Sequence, residues 1–164
     1  MEDLVAFARE PRLERTTIDL PFLARDVVSR LERSGELRDE QVRVEGARHA
    51  EVAVDPARIG QVLRNLLLNA AAAAGKDCGI VVHVEDDPAF VAIRIQDRGV
   101  GIADDDLPRV FEPFFSKRPG GTGLGLAVSH GIVMAHGGNI EIRSTSGEGT
   151  TVTVQLPKIR QEAP

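Results

Sequence analysis

The sequence has a single cysteine, no tryptophan and no tyrosine. Cys78 alone cannot close an internal disulfide and has no second thiol for a metal clamp, so it reads as a small filler residue in a chain suited to a reducing compartment. No apolar run approaches the roughly 20 residues of a membrane helix, and the first residues lack the layout of a signal peptide. The expectation is a cytoplasmic domain without direct membrane contact, in a parent protein that can itself be membrane-anchored. An excess of basic residues is also missing. The net charge of −5 argues against a nucleic-acid partner. With 164 residues, 42% hydrophobic and 27% charged, the chain has the size of one globular domain with a substantial core.

Glycine is what the sequence has in concentrated form. Gly120-Gly121-Thr122-Gly123-Leu124-Gly125-Leu126 opens directly into an apolar periodic run over residues 126–135. Glycines there let backbone N–H groups crowd against an anion at a helix N-terminus, where the dipole also favours negative charge, and predict a phosphate cradle. The pattern is neither of the two common phosphate loops. A dinucleotide fingerprint spaces its glycines G-x-G-x-x-G directly after a strand, and a P-loop ends in Gly-Lys-Ser/Thr. Glycines also make ordinary turns, so the cradle depends on what surrounds it.

Along the chain, residues 16–20 predict a short strand, and Pro21 opens a helix whose apolar face is Phe22, Leu23, Val27, Val28 and Leu31. Residues 41–45 and 51–54 alternate as two strands with a turn at 46–49. Asp55 as N-cap and Pro56 at the first position announce a helix to Ala74, closed by Gly75. Ile59, Val62, Leu63, Leu66, Leu67 and Ala70 form its core stripe. Gln61, Asn65 and Asn69, four residues apart, stack along one polar edge. Asparagine is a poor mid-helix residue, and two of them beside a core stripe either cap neighbouring backbone or serve something outside the helix. In a nucleotide site the uncharged amide oxygen of Asn69 is a suitable magnesium ligand, since it does not repel phosphates.

Residues 80–85 and 90–96 predict an antiparallel strand pair, the second running into Asp97-Arg98-Gly99-Val100-Gly101. A carboxylate at a strand end before two glycines is an acceptor for a donor such as adenine's amine, although D-x-G-x-G is also common in plain loops. Residues 102–120 form a long connection of the kind that serves as a lid. In it Phe111, Phe114 and Phe115 are expected to anchor one end to the core, leaving Lys117 and Arg118 at the end that moves. His136 closes the next helix in a structural role, and residues 139–143 and 150–156 predict a closing hairpin.

Taken in order, Asn65-Leu66-Leu67-Leu68-Asn69-Ala70, Asp97-Arg98-Gly99-Val100-Gly101, Phe111-Glu112-Pro113-Phe114-Phe115, Gly121-Thr122-Gly123-Leu124-Gly125-Leu126 and Gly147-Glu148-Gly149-Thr150 resemble the catalytic ATP-binding domain of bacterial sensor histidine kinases. These are HATPase domains of the GHKL superfamily. The resemblance spans residues 18–157. It implies an α+β fold of the Bergerat type, a two-layer α/β sandwich whose mixed, mainly antiparallel sheet carries helices on one face. Its short lid and asparagine box are most similar to the nitrogen-regulation type.

The resemblance also implies roles. Asn69 would hold Mg2+, Asn65 would line the phosphate pocket and Arg118 would reach the terminal phosphate, making these three the catalytic set. Asp97 would accept from the adenine amine beside Gly99, Gly101 and Ile102, with Thr150 supporting a base-bound water. Gly121, Thr122, Gly123, Leu124, Gly125 and Leu126 would surround the phosphates. ATPases of the same superfamily carry a glutamate at the position of Asn65, so an amide there favours transfer to histidine over hydrolysis. Many members carry a basic or aromatic residue one turn after the magnesium asparagine, where Ala72 and Ala73 stand here.

None of His49, His83, His130 and His136 has the context of a phosphoacceptor. The implied organisation is therefore a remnant of a dimerisation helix and linker (residues 1–15), the catalytic domain (16–158) and a tail (159–164). The implied partners are ATP and ADP, a dimerisation and histidine phosphotransfer domain outside this chain, and a response regulator reached through the full-length protein. A stand-alone serine kinase of the anti-sigma type, or a nucleotide-sensing module without phosphotransfer, are the alternatives.

Overall fold

Alternating burial and helical periodicity appear in the computed structural model as seven strands and three α-helices, described for residues 12–39, 41–75 and 79–159. The expected helical remnant at residues 2–9, Cys78 and the end of the tail lie outside these residues. The strands are β1 (Thr16–Asp19), β2 (Val42–Gly46), β3 (Glu51–Val54), β4 (Ile80–Asp86), β5 (Phe90–Asp97), β6 (Asn139–Thr145) and β7 (Gly149–Pro157). The helices are α1 (Leu20–Arg33), α2 (Pro56–Ala74) and α3 (Gly125–Ala135). None of the described helices is long and apolar enough to cross a membrane.

Five strands form the main sheet in the order β2-β4-β5-β7-β6, and β1 pairs with β3 in a separate two-stranded sheet. All pairings in the main sheet are antiparallel except β2 with β4. The expected hairpin of β6 and β7 is present. The turn expected between β2 and β3 joins strands that do not pair. β2 leaves the main sheet at Gly46, with Ala47 N–H still donating to the Val84 carbonyl, and β3 crosses to β1.

On β4 and β5 the side chains of Ile80, Val82, Val84, Ile93 and Ile95 face the core, while Arg94 and Gln96 face water. The sandwich is thus built by period-two burial on one sheet face and a helical stripe opposite. The stripe of α2 is the one expected, with Ile59, Val62, Leu63, Leu66, Leu67 and Ala70 all at most 5% exposed. Each large side chain removed from water in this way contributes roughly 1.5–3 kcal/mol. On α1 the expectation fails at Phe22, which is 69% exposed. Burial follows Leu20, Ala24, Val27, Val28 and Leu31 instead, a helical spacing that leaves Phe22 on the far side.

The start of α2 is tied to the end of α3 by His136. Asp55 caps α2 by accepting from Arg58 N–H (3.1 Å) and also accepts from Glu14 N–H (3.0 Å). Its own N–H donates to His136 Nε2 at 3.0 Å, while His136 Nδ1 lies 2.7 Å from the Ile132 carbonyl. Only the neutral tautomer protonated at Nδ1 satisfies both bonds. Burial of His136 lowers its pKa, outweighing the Ile132 bond that favours protonation. Burial works against the Asp55 carboxylate, but the backbone N–H groups of Glu14, Arg58 and Ala57 hold its pKa below the ordinary value.

A pH dependence follows. In the unfolded chain His136 takes up a proton near pH 6.5, whereas the native state resists it, so stability declines as pH falls below about 6.5. The Asp55 contribution persists until pH falls below about 4. His136→Ala is expected to lose about 3 kcal/mol, from the lost side-chain packing and the unpaired Asp55 N–H. Urea titrations of both proteins between pH 7.5 and 4.5 check this, because the variant should show the shallower pH slope. Equal slopes would disprove the tie.

Candidate functional site

Above the carboxyl end of β5, between α2, α3 and residues 102–123, lies a cavity of about 500 Å3. Its walls include Asn65, Asn69, Asp97, Gly101, Ile102 and Arg118, together with Gly121, Thr122, Gly123, Gly125, Leu126 and Thr150. Two predicted site residues are not walls. Gly99 packs beneath the Ala73 carbonyl, where any side chain would collide, and Leu124 is buried in the core.

Asn65 and Asn69 reach the cavity from one edge of α2 and differ in their bonding. The Asn65 amide nitrogen donates to the Gly125 carbonyl (3.3 Å) and lies 3.4 Å from the fully buried Ser129 hydroxyl, so it clips α2 to α3. Asn69 is half-buried and its amide makes no side-chain hydrogen bond among the described residues. Gln61, on the same four-residue spacing, is not a wall.

The floor is made by strand ends. Asp97 and Thr150 sit directly opposite each other on β5 and β7, and Thr150 faces Ser144 on β6. Asp97 is 5% exposed, with one carboxylate oxygen accepting from Gly99 N–H at 2.8 Å. Burial raises its pKa, partly countered by the N–H groups of Gly99 and Thr150. The β6–β7 turn clasps the loop after Asp97. Gly147 N–H donates to the Val100 carbonyl (2.7 Å), and Gly101, at φ +69°, lies so close to the Thr145 carbonyl that a side chain would collide with it. Both the conformation and the clearance require glycine at that position.

The lid carries its residues on a largely irregular backbone with one 3-10 turn, Leu107–Arg109. Val110 is buried, and the Phe111 ring meets His130 with centroids 5.0 Å apart. Phe115 lines the cavity with the Arg109 guanidinium 4.4 Å from its ring centroid. Phe114 departs from the expected anchor, being 65% exposed at a left-handed φ of 67°. Its N–H donates to the Gly123 carbonyl at 2.9 Å. Of the two basic residues, Lys117 pairs with Asp106 (2.6 Å), whereas Arg118 is exposed and has no ion pair among the described residues.

At the helix entrance the Thr122 hydroxyl accepts from Leu124 N–H (3.3 Å) and Leu124's carbonyl accepts from Val128 N–H (2.9 Å). The N–H groups of Gly125 and Leu126, in the first turn, have no partner within the helix, and both residues are walls of the cavity.

Sequence reasoning missed Asp106, Arg64 and Ser144. Asp106 stands in the acidic run Asp104-Asp105-Asp106, and it is 9% exposed and holds Lys117. Arg64 also lines the cavity, tied to Glu36 at 2.5 Å. Its place directly before Asn65 was the available signal, in a helix with alanine at 72 and 73.

The two glycines at the lid base separate in role. Gly123 has φ +69° and a Cβ there would collide with the Phe114 backbone, whereas a Cβ at Gly125 meets only the Asn65 side chain at ordinary contact distance. Gly123→Ala is expected to cost about 1–3 kcal/mol of local strain and to displace Phe114 and the lid. Gly125→Ala should be much milder. Comparing nucleotide affinity and melting temperature of the two variants checks the difference; equal effects would refute it.

A mixed sheet with its helices on one face, and a cavity between an asparagine-bearing helix, a strand-end aspartate and a glycine-flanked lid, define a nucleotide-binding domain of the Bergerat type. Residues 54–160 match the family of histidine kinase-, DNA gyrase B- and HSP90-like ATPases, and the chain belongs to that family. Among curated proteins it is 37% identical over 158 residues to the sensor histidine kinase ZraS of Escherichia coli K12, covering 96% of this chain and 34% of that protein. It is 40% identical over 109 residues to the sensor histidine kinase RcsC of the same organism, covering 63% of this chain and 11% of that one. The chain therefore spans about a third or less of these relatives.

Among solved structures, the catalytic domain of histidine kinase ThkA is similar with TM-score 0.77 and 30% identity, covering 88% of this chain and 96% of that one. Full-length ShkA in complex with AMPPNP is similar with TM-score 0.80 and 25% identity, covering 95% of this chain and 34% of that one. The chain is an ATP-binding catalytic domain of the histidine-kinase kind.

Proposed function

We propose that this domain binds Mg-ATP and transfers the γ-phosphate to a histidine on a dimerisation and histidine phosphotransfer domain, from which a response regulator receives it through the full-length protein. The observation that carries the reading is that, among the described residues, the cavity has no free carboxylate base. The acidic walls among them are Asp97, engaged with backbone N–H groups, and Asp106, paired with Lys117. The polar side chain beside the cradle is the amide of Asn65, which cannot deprotonate water. An acceptor histidine brings its own nucleophilic nitrogen, so the domain needs only to position and neutralise the phosphates.

In this reading Asp97 accepts from the adenine amine near Gly101, Ile102 and Thr150. The N–H groups of Thr122, Gly123, Gly125 and Leu126 face the phosphates, with Arg118 joining from the lid, while the Leu124 N–H is held by the Thr122 hydroxyl. Mg2+ fits the donor set as a cation that arrives with the nucleotide. Asn69 offers one uncharged oxygen, and no group of three or more His, Cys, Asp or Glu among the described residues could hold a metal alone. Mg2+ commonly takes one or two protein oxygens with phosphates and water completing its shell. Bound there, it would neutralise phosphate charge.

His49, His83, His130 and His136 are not walls of the cavity, and His136 is buried. The folded unit we assign to this activity is residues 16–158. Mixing the chain with γ-labelled ATP and a separately expressed dimerisation domain of a related kinase tests the proposal. Acid-labile phosphate on the acceptor histidine is the expected result. Acid-stable phosphate on serine would favour the anti-sigma type of kinase, and binding without transfer would favour a nucleotide sensor.

A further inference from the structure

We propose that Ser144 sets the base specificity of the cavity by fixing the direction of the Thr150 hydroxyl. The inference rests on the nucleotide reading above and assigns a positioning residue to it. Asp97, Thr150 and Ser144 stand directly opposite one another across β5, β7 and β6, so their side chains emerge on the same sheet face. Asp97 and Thr150 are walls of the cavity, and Ser144 lies beside them without being one.

A serine hydroxyl has one proton to donate and two lone pairs to accept with. Ser144 Oγ donates to the Gly149 carbonyl at 2.8 Å and accepts from Ile102 N–H at 2.8 Å. Its third neighbour is Thr150 Oγ1 at 2.9 Å. With the Ser144 proton committed to Gly149, the bond between the hydroxyls has one polarity, in which Thr150 donates and Ser144 accepts. The Thr150 hydroxyl therefore has no proton left for the cavity and presents only lone pairs.

The Thr150 N–H is also used, on Asp97. The base-facing floor is thus a pair of acceptors, the Asp97 carboxylate and the Thr150 oxygen. A purine carrying a 6-amino group offers donors to such a floor, directly or through one water. A 6-oxo purine sets its carbonyl oxygen against them. Unpaired acceptors facing each other in a buried site are strongly disfavoured, whereas a hydroxyl free to rotate would donate to the oxo group and remove much of the penalty. Ser144 is what prevents that rotation.

The test is calorimetric titration of Mg-ATP and Mg-ITP, which differ at the purine 6-position and N1, into the wild-type chain, Ser144→Ala, Ser144→Thr and Thr150→Val. The wild type should prefer ATP. Ser144→Ala should reduce the ATP-to-ITP affinity ratio by about tenfold or more, the scale of one hydrogen bond. Ser144→Thr keeps the hydroxyl and should restore the ratio. Thr150→Val removes the acceptor and should also lower it, which keeps the proposal testable if Ser144→Ala does not fold.

Equal losses of ATP and ITP affinity in Ser144→Ala, or an unmoved ratio in Thr150→Val, would overturn the assignment and leave Ser144 as a brace for the Ile102 loop. Failure of the wild type to bind Mg-ATP would instead overturn the nucleotide reading, and this inference with it.

Discussion

Asn69→Ala is expected to lower phosphotransfer from Mg-ATP by about 10²–10³-fold, the usual loss when one preorganised electrostatic contact is removed from a reacting centre. Folding should be unharmed. The Asn69 amide makes no side-chain hydrogen bond among the described residues, so truncation orphans no partner, and alanine is the better helix former. The measurement is the rate of phosphohistidine formation on a saturating dimerisation domain, with nucleotide affinity measured in Mg2+ and in EDTA. Wild-type affinity should depend on Mg2+, and the variant should lose most of that dependence. Asn69→Asp should keep a metal oxygen yet add negative charge beside the phosphates, giving an intermediate defect. Full transfer by Asn69→Ala would end the assignment of Asn69 to the metal.

Asp97→Asn is expected to weaken ATP binding by on the order of 100-fold, from the loss of a buried charge-assisted hydrogen bond worth about 1.5–3 kcal/mol and the turning of an amide N–H2 toward a donor. Stability should respond in the opposite sense. Burial raises the Asp97 pKa, so the ionised carboxylate is held in the folded state at a cost. The native state then binds its proton at a higher pH than the unfolded chain does, and this residue's contribution to stability improves as pH falls through the raised value. ATP affinity should fall over that same interval, because a protonated carboxyl is a poorer acceptor for the amine. Calorimetry against pH, with urea midpoints on the same samples, separates the two effects. If Asp97→Asn binds ATP as tightly as the wild type, the base is recognised elsewhere.

Much of this site can be read along the chain because its contributors are periodic or punctuated. Four-residue spacing placed Asn65 and Asn69 on one edge of α2 whatever that helix packs against, and Asp55, Pro56 and Gly75 marked its ends correctly. The hairpin of β6 and β7 was equally local. The expected phenylalanine anchor departs at Phe114 alone, for a reason visible in the backbone. Residues 111, 114 and 115 have the spacing of one helical face, but Phe114 adopts a left-handed φ, which turns its ring outward.

Pairing between neighbours in sequence was legible for β4 with β5 and for β6 with β7, but pairing between distant strands was not. The alternation of β2 and β3 is the same whether they pair with each other or with distant strands, and the parallel register of β2 with β4 joins residues almost forty positions apart. The same holds for Asp106, whose burial and bond to Lys117 come from the path of the lid.

By itself, then, the sequence determined the elements, the family and the positions of the asparagines, the aspartate and the glycines, because each of these is written in local spacing and in conformations a few residues long. Only the tertiary structure decided what each polar atom has left to offer. It committed the Asn65 nitrogen to α3, left the Asn69 amide without a side-chain hydrogen bond among the described residues, and laid Ser144, Thr150 and Asp97 side by side across three strands. Hydrogen-bond valence is satisfied in space, by neighbours the chain brings together from far apart.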